Sequence, residues 1–302
     1  MNILAYLYII TGLAVAALNC RPEGPVLPKP SNLADASAFR HAAVDLAHTF
    51  DAISSGGTTM PWPVANFSFS VAVVSADQED GTPIWQYHHR AQGNVKGTEK
   101  VDADSQYLIG SISKMVTTYI MLATGMDLDV PVTTYLPLLK GSEKMEWESI
   151  TLRMLASQMA GVPTNYGFSD YYVLKDVYLA LGFPPIDDSE YPPCGVIGLN
   201  QGCTANQLQA GLRDSYPIVP PGARPSYSNA AFNLIALAIE THTNRTYAQQ
   251  VYEFVTKPLN LSSATRPSPG DDSKAVIPPG DTSGWGADYG RPIVAAILFV
   301  II

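Results

Sequence analysis

The chain has 302 residues, of which 46% are hydrophobic and 15% are charged. This apolar content is enough for one large domain or two packed lobes, and it excludes a disordered or fibrous protein. The net charge of −9 and the scattered lysines and arginines leave no basic surface to neutralise phosphates, so we expect no nucleic-acid partner.

The first 19 residues are predicted to be a signal peptide. The apolar run MNILAYLYIITGLAVAALNC is too short, and too soon followed by prolines, for a convincing membrane span. Ala14, Ala16 and Ala17 offer small residues for cleavage. No basic residue precedes the run, so a membrane anchor is the alternative. We expect a secreted, extracellular protein with no stable membrane span after cleavage.

Three Asn-x-Ser/Thr sequons lie at Asn66, Asn244 and Asn260. Such sequons accept glycans only along the secretory route, although they also arise by chance. Together with the leader they favour an extracellular eukaryotic glycoprotein.

The three cysteines fit the same compartment. Cys194 and Cys203 enclose a short loop rich in proline and glycine, and we predict a disulfide between them. Cys20 is then unpaired, as a free thiol or with a partner outside the molecule or outside this sequence. None of the five histidines has metal-ligand spacing near the cysteine pair, so we expect no metal and no cofactor.

The N-terminal half predicts a mixed α+β organisation. Residues 20–66 read as a proline-rich arm followed by a helix at 39–50, whose apolar residues recur at helical spacing. Alternation of side-chain types with a period of two predicts a strand at 67–76, and residues 83–90 are its expected hairpin partner across an acidic turn. A third apolar piece, residues 107–109, leads to a helical pattern that begins at Ser111 and continues through Met121.

Ser111 and Lys114 form a Ser-x-x-Lys pair at the predicted start of that helix. Residues three apart share one helix face, so the amine can activate the hydroxyl as a nucleophile. The helix N-terminus adds free N–H groups and a partial positive charge, which favour an anionic intermediate. A serine cap followed by a surface lysine is the alternative, because the pattern alone is common.

A second motif, Tyr-x-Asn at Tyr227 and Asn229, precedes a predicted helix at 230–242. A phenol near an ammonium has a lowered pKa and can transfer protons, and an amide can orient the lysine and a substrate carbonyl. A turn tyrosine with an asparagine cap is the alternative.

The ordered segments YLIGSISKM, DLDVPVTTYLP, SITLRMLASQMAGVP and PGARPSYSN resemble the β-lactamase-related serine hydrolases, in the class C β-lactamase, penicillin-binding protein and esterase branch. The resemblance implies an antiparallel sheet flanked by helices plus a helical lobe, with the site in a cleft. It also implies Ser111 as the acylated nucleophile, Lys114 as its activating lysine, Tyr227 as general acid/base and Asn229 as the orienting amide.

The resemblance also implies a late-strand motif, Lys-Thr/Ser-Gly or His-x-Gly, that we do not find in the sequence. We therefore expect an incomplete domain at 67–290, with late sheet strands missing, followed by an unrelated hydrophobic tail at 291–302. Truncation is the favoured explanation, and a genuine short strand or a shortened tail anchor are the alternatives. Gln158 stands where relatives often have histidine, and we interpret that position as structural.

The sequence is compatible with two functions. The first is a serine hydrolase that acts on a small-molecule or peptide acyl substrate, an ester, amide or lactam, through an acyl-enzyme on Ser111. The second is an inactive truncated relative that serves at most as a binding module, since losing one oxyanion donor costs roughly 100- to 1000-fold in turnover.

Overall fold

A computed structural model describes residues 30–57, 64–76, 78, 81–94, 96–107, 109–196, 198–261 and 273–277. The predicted signal peptide, Cys20 and the predicted tail at 291–302 lie outside the described residues. The chain divides into two compact units, one of residues 1–65 with 70–88 and the other of residues 66–69 with 89–302.

The first unit combines one long helix with a hairpin. Helix α1, Ser37–Ser54, contains the predicted helix 39–50. Strands β1, Phe69–Val73, and β2, Trp85–His89, form a two-stranded antiparallel sheet within the predicted strands. The ring of Phe50 lies 6.4 Å from Trp85 and 5.0 Å from Tyr87, and the Tyr87 hydroxyl donates to Asp51. These aromatic contacts hold the end of α1 on the hairpin.

The second unit is mostly helical. Its α-helices are α2 Ser113–Ala123, α3 Leu152–Ala156, α4 Ser169–Val173, α5 Lys175–Ala180, α6 Ala205–Arg213, α7 Asn229–Thr243 and α8 Tyr247–Val251, the last continued by a π-turn, Tyr252–Thr256. Single 3-10 turns over the two units are Leu33–Asp35, Val64–Asn66, Gly110–Ile112, Val132–Thr134, Pro137–Leu139, Trp147–Ser149, Tyr166–Phe168 and Asp188–Glu190.

Helix α7 is the centre of this unit. The Ser228 hydroxyl accepts the Ala231 N–H at its N-terminus, and Asn244, in the left-handed conformation, ends it. The helix is apolar on most of its circumference, as expected of a buried helix. Helices α2 and α3 both pack on it, and their shared core includes Ile120, Met121, Leu152, Leu155, Leu234 and Ile235.

Two isolated bridges join the segment between β2 and α2 to residues 275 and 276. Gln106 pairs with Ala275, and Gly97 pairs with Val276. Gly97 has φ of +75°, and a side chain there would collide with the backbone carbonyl of Ala275. Glycine at this position therefore allows the two segments to approach closely.

The structure joins Cys194 and Cys203 in the predicted disulfide, with Cα atoms 4.9 Å apart. The three sequon asparagines, Asn66, Asn244 and Asn260, are all exposed. In the part of the chain that the structure describes, we find no helix long and apolar enough to cross a bilayer.

Candidate active site

The predicted nucleophile lies in a turn that leads into α2. Ser111 is the middle residue of the 3-10 turn Gly110–Ile112 and is exposed. Gly110 adopts φ of +50°, and its carbonyl accepts the Ser113 hydroxyl at 2.5 Å. Glycine is favoured here because the left-handed region costs other residues about 1 kcal/mol or more. The turn places the Ser111 side chain one helical turn before Lys114.

Lys114 is buried, with 7% of its surface exposed. Its ammonium donates to the Ser111 hydroxyl at 3.0 Å and to the Asn229 side-chain oxygen at 2.6 Å. It also lies 4.8 Å from the centre of the Tyr227 ring. A buried ammonium needs hydrogen-bond acceptors, and these neutral groups supply them.

The Tyr227 hydroxyl lies 2.5 Å from the Ser111 hydroxyl oxygen. The structure therefore brings together all four residues proposed from the sequence, although Ser111 and Tyr227 are 116 positions apart. Hydroxyl, amine, phenol and amide form one hydrogen-bonded cluster at the junction of α2 and α7.

Electrostatic interactions in the cluster lower the pKa of Tyr227. Partial burial raises the pKa of the Tyr227 phenol, but hydrogen bonds to Lys114 and Ser111 and the positive charge of Lys114 lower it more. The net result is a pKa below the usual 10.0. The lowered pKa makes the phenolate more accessible, and the phenolate is the form of Tyr227 that can take the hydroxyl proton of Ser111.

Gln158 holds the backbone on both sides of Tyr227. Its carbonyl accepts the Ser226 N–H at 2.8 Å, and its side-chain oxygen accepts the Ser228 N–H at 2.7 Å. Gln158 has φ of +63°, which is uncommon for a residue other than glycine. A structural role was predicted for this position from the sequence, and its contacts are with the segment that carries the proposed acid/base.

Two further residues were not predicted from the sequence. Asn165 accepts the Asn229 side-chain N–H at 2.8 Å, and it donates to the Asp170 carboxylate at 2.6 Å. The signal available was weak, because Asn165 only follows the GVP string quoted for the resemblance. Nothing local indicates that it reaches Asn229.

Within the described ranges, no group of three or more histidine, cysteine, aspartate or glutamate side chains is arranged to hold a metal ion. The chemistry that the four residues can perform is proton transfer and nucleophilic attack by an oxygen.

Comparison with known proteins places this arrangement in context. The family model described as Beta-lactamase matches residues 68–297. A beta-lactamase-like protein of Arthroderma benhamiae is 42% identical over 287 residues, covering 94% of this chain and 48% of that protein. A probable hydrolase of a Phoma species is 26% identical over 289 residues, covering 91% of this chain and 46% of that protein. The chain thus spans about half the length of the curated relatives it matches.

A solved structure shows the fold. The crystal structure of a beta-lactamase/D-alanine carboxypeptidase from Yersinia pestis superposes with a TM-score of 0.55 at 20% identity, covering 88% of this chain and 66% of that chain. This likeness confirms the predicted α+β, β-lactamase/transpeptidase-like fold class.

Proposed function

This chain belongs to the Beta-lactamase family, and we propose that it provides the nucleophile part of a serine acyl-hydrolase in which Ser111 forms an acyl-enzyme. The observation that carries the proposal is the position of the Ser111 hydroxyl oxygen, 2.5 Å from the phenol of Tyr227 and 3.0 Å from the ammonium of Lys114. A hydroxyl that contacts both a proton acceptor and a cation is arranged for nucleophilic attack.

In acylation, the Ser111 hydroxyl passes its proton to the Tyr227 phenolate while its oxygen bonds to the acyl carbon. The tetrahedral intermediate then collapses, the bond to the leaving group breaks, and the leaving group takes the proton from Tyr227. Water then attacks the acyl carbon while the Tyr227 phenolate takes its proton, the bond between the acyl carbon and the Ser111 oxygen breaks, and Tyr227 returns the proton to that oxygen. Lys114 stays protonated and stabilises both the phenolate and the anionic intermediate.

The assignment of roles follows from hydrogen-bond donors and acceptors. In the proposed mechanism Lys114 is an ammonium that donates to Ser111 and Asn229, and in that form it has no lone pair to take a proton. A phenolate can accept one, and the lowered pKa of Tyr227 increases the phenolate fraction. The backbone N–H of Ser111, in the first turn of the helical segment, is the oxyanion donor that we propose from this chain.

The acyl donor that we propose is a small-molecule or peptide ester, amide or lactam. We also propose that the protein is secreted and glycosylated. The apolar leader, the disulfide of Cys194 and Cys203 and the exposed sequon asparagines Asn66, Asn244 and Asn260 support that route.

Covalent labelling tests the proposal. The full chain, purified from a eukaryotic secretion host, is incubated with a fluorophosphonate and with a fluorescent penicillin, and the adduct is mapped by peptide mass spectrometry. We expect one adduct, on Ser111, with at least one of the two probes. Ser111→Ala should lose it completely.

Ser149→Ala is the matched control, because Ser149 is also an exposed serine in a 3-10 turn and bonds only its own turn through its hydroxyl. It should label like the parent protein. If a folded parent protein forms no adduct with either probe, the acyl-hydrolase proposal fails and the inactive relative is the better description.

A further inference from the structure

A chain of three side-chain hydrogen bonds leads away from Lys114. Its ammonium donates to the oxygen of Asn229 at 2.6 Å, and the Asn229 amide nitrogen donates to Asn165 at 2.8 Å. The Asn165 amide nitrogen then donates to the Asp170 carboxylate at 2.6 Å. Asn165 and Asn229 are half-buried, whereas Asp170 is exposed in the first turn of α4. The chain thus joins a buried cation to a surface anion through two amides.

The two ends of this chain fix its direction. An ammonium can only donate hydrogen bonds, and an ionised carboxylate can only accept them. Each amide has one accepting oxygen and one donating nitrogen, so only one order satisfies all three contacts. If the Asn229 amide were reversed, its NH₂ group would face the ammonium of Lys114, donor against donor.

We propose that Asp170 and Asn165 are positioning residues that hold the Asn229 side-chain oxygen towards Lys114, and that Asp170 acts as a hydrogen-bond acceptor and not through its charge. This inference rests on the proposed function for its importance to catalysis, but the orientation itself is a property of the folded protein. Asn229 orients the amine that polarises Ser111 and Tyr227. Loss of Asp170 therefore affects the Tyr227 phenol only indirectly, through Asn165, Asn229 and Lys114.

When Asp170 is removed, the loss of a hydrogen-bond acceptor and the loss of a negative charge change the pKa of Tyr227 in opposite directions. Removing a nearby anion makes a phenolate more favourable, which lowers the pKa of Tyr227. Releasing the Asn229 amide deprives the ammonium of an acceptor and loosens its hold on the phenol, which raises that pKa. Titration of Tyr227 therefore separates the two effects.

The test uses the full chain with ¹³Cζ-labelled tyrosine, and the Tyr227 resonance is identified from Tyr227→Phe. With Asp170→Ala we expect the pKa of the phenol to rise by about half a pH unit, the effect of weakening one hydrogen bond to a charged group. Asp170→Asn removes the same charge but keeps an accepting oxygen. The pKa of the Tyr227 phenol in this variant should therefore lie between its values in the parent protein and in Asp170→Ala.

Asp176→Ala is the matched control, since Asp176 is likewise an exposed acid in the first turn of a short helix, α5, and no hydrogen bond or ion pair between described residues joins it to the cluster. It should leave the phenol pKa unchanged or slightly lower. A pKa that falls or stays unchanged in Asp170→Ala, or identical shifts in Asp170→Ala and Asp170→Asn, would overturn the proposal.

Labelling by the acyl probe gives a second readout. If the parent protein labels, Asp170→Ala should slow acylation roughly fivefold to tenfold, with circular dichroism unchanged, and Asp170→Asn should slow it less. If the parent protein does not label, the proposed function fails while the NMR titration still decides the orientation of Asn229.

Discussion

The two segments that meet in the candidate active site are positioned in different ways. Ser111 and Lys114 are arranged by a single helical turn, because residues three apart share a helix face. Tyr227 and Asn229 are held by residues about 70 and 64 positions away, Gln158 and Asn165. The first arrangement is local and follows from sequence spacing, whereas the second exists only after the chain has folded. Substitutions in the two segments should therefore differ in how they change the acylation rate and the stability.

The largest effect is expected at the Tyr-Asn segment. Tyr227→Phe removes the proposed acid/base and should lower the acylation rate of Ser111 by roughly 100- to 10,000-fold. In the parent protein, acylation should rise with pH as the phenol loses its proton, with a midpoint below the usual phenol pKa of 10.0. Rates of labelling measured between pH 5 and 10 check both statements.

The phenylalanine variant should lose that dependence on pH. The same rise with an unchanged midpoint in Tyr227→Phe would assign the base to another group and would leave the structure's 2.5 Å contact without a catalytic role.

A smaller effect is expected in the nucleophile turn. Gly110→Ala places a side chain at φ of +50° with nothing within 4 Å of the new carbon, so its cost comes from the backbone alone. It should lower the free energy of unfolding by about 1 kcal/mol. Relaxation of the strained turn moves Ser111 away from Lys114, so acylation should fall about tenfold.

Gly125→Ala separates the loss of stability from the loss of acylation. Gly125 has φ of +69° and equally open surroundings, but it lies beyond the other end of α2. Urea denaturation should show a similar loss of stability, and labelling should be unchanged. Equal loss of labelling in both variants would mean that local conformation at Gly110 does not position the nucleophile.

The smallest effect is expected from Gln158. Gln158→Ala removes the side-chain acceptor of the Ser228 N–H but keeps the backbone contact to Ser226, so we expect acylation to fall roughly fivefold. Gln158→Glu retains an accepting oxygen and should keep most of the rate. If alanine and glutamate behave alike, the side chain does not position Tyr227.

Much of the fold could be predicted from local pattern. Helix α7 was expected at 230–242 and spans Asn229–Thr243, because its continuous apolar residues and the Ser228 cap leave little freedom. The hairpin of β1 and β2 could be predicted because side-chain types alternate with a period of two in the first strand. The pairing of Gly97 and Gln106 with residues 275 and 276 was not predicted, since single bridges leave no periodic signal.

The two motifs of the candidate site could be predicted from the sequence, whereas the hydrogen bonds that support them could not. Ser111, Lys114, Tyr227 and Asn229 belong to two short motifs whose chemistry requires those residue types. A structural role could be predicted for Gln158, but its partners could not, because the hydrogen bonds of Gln158, Asn165 and Asp170 are formed by tertiary contact. An asparagine or glutamine in a loop is usually a polar surface residue. The left-handed backbone of Gln158 likewise has no sequence signature, because glycine is the residue that usually indicates it.

The burial of Lys114 has a consequence for how the protein trades stability against activity. Within the described part of the chain, no carboxylate oxygen lies within ion-pair distance of this ammonium, which donates to the Ser111 hydroxyl and to the Asn229 side-chain oxygen. Desolvating an uncompensated charge opposes folding. Under the proposed mechanism, the native state gives up part of its stability to keep a cation beside the oxygen that becomes negatively charged, so replacing Lys114 with methionine or leucine should increase stability at the expense of acylation.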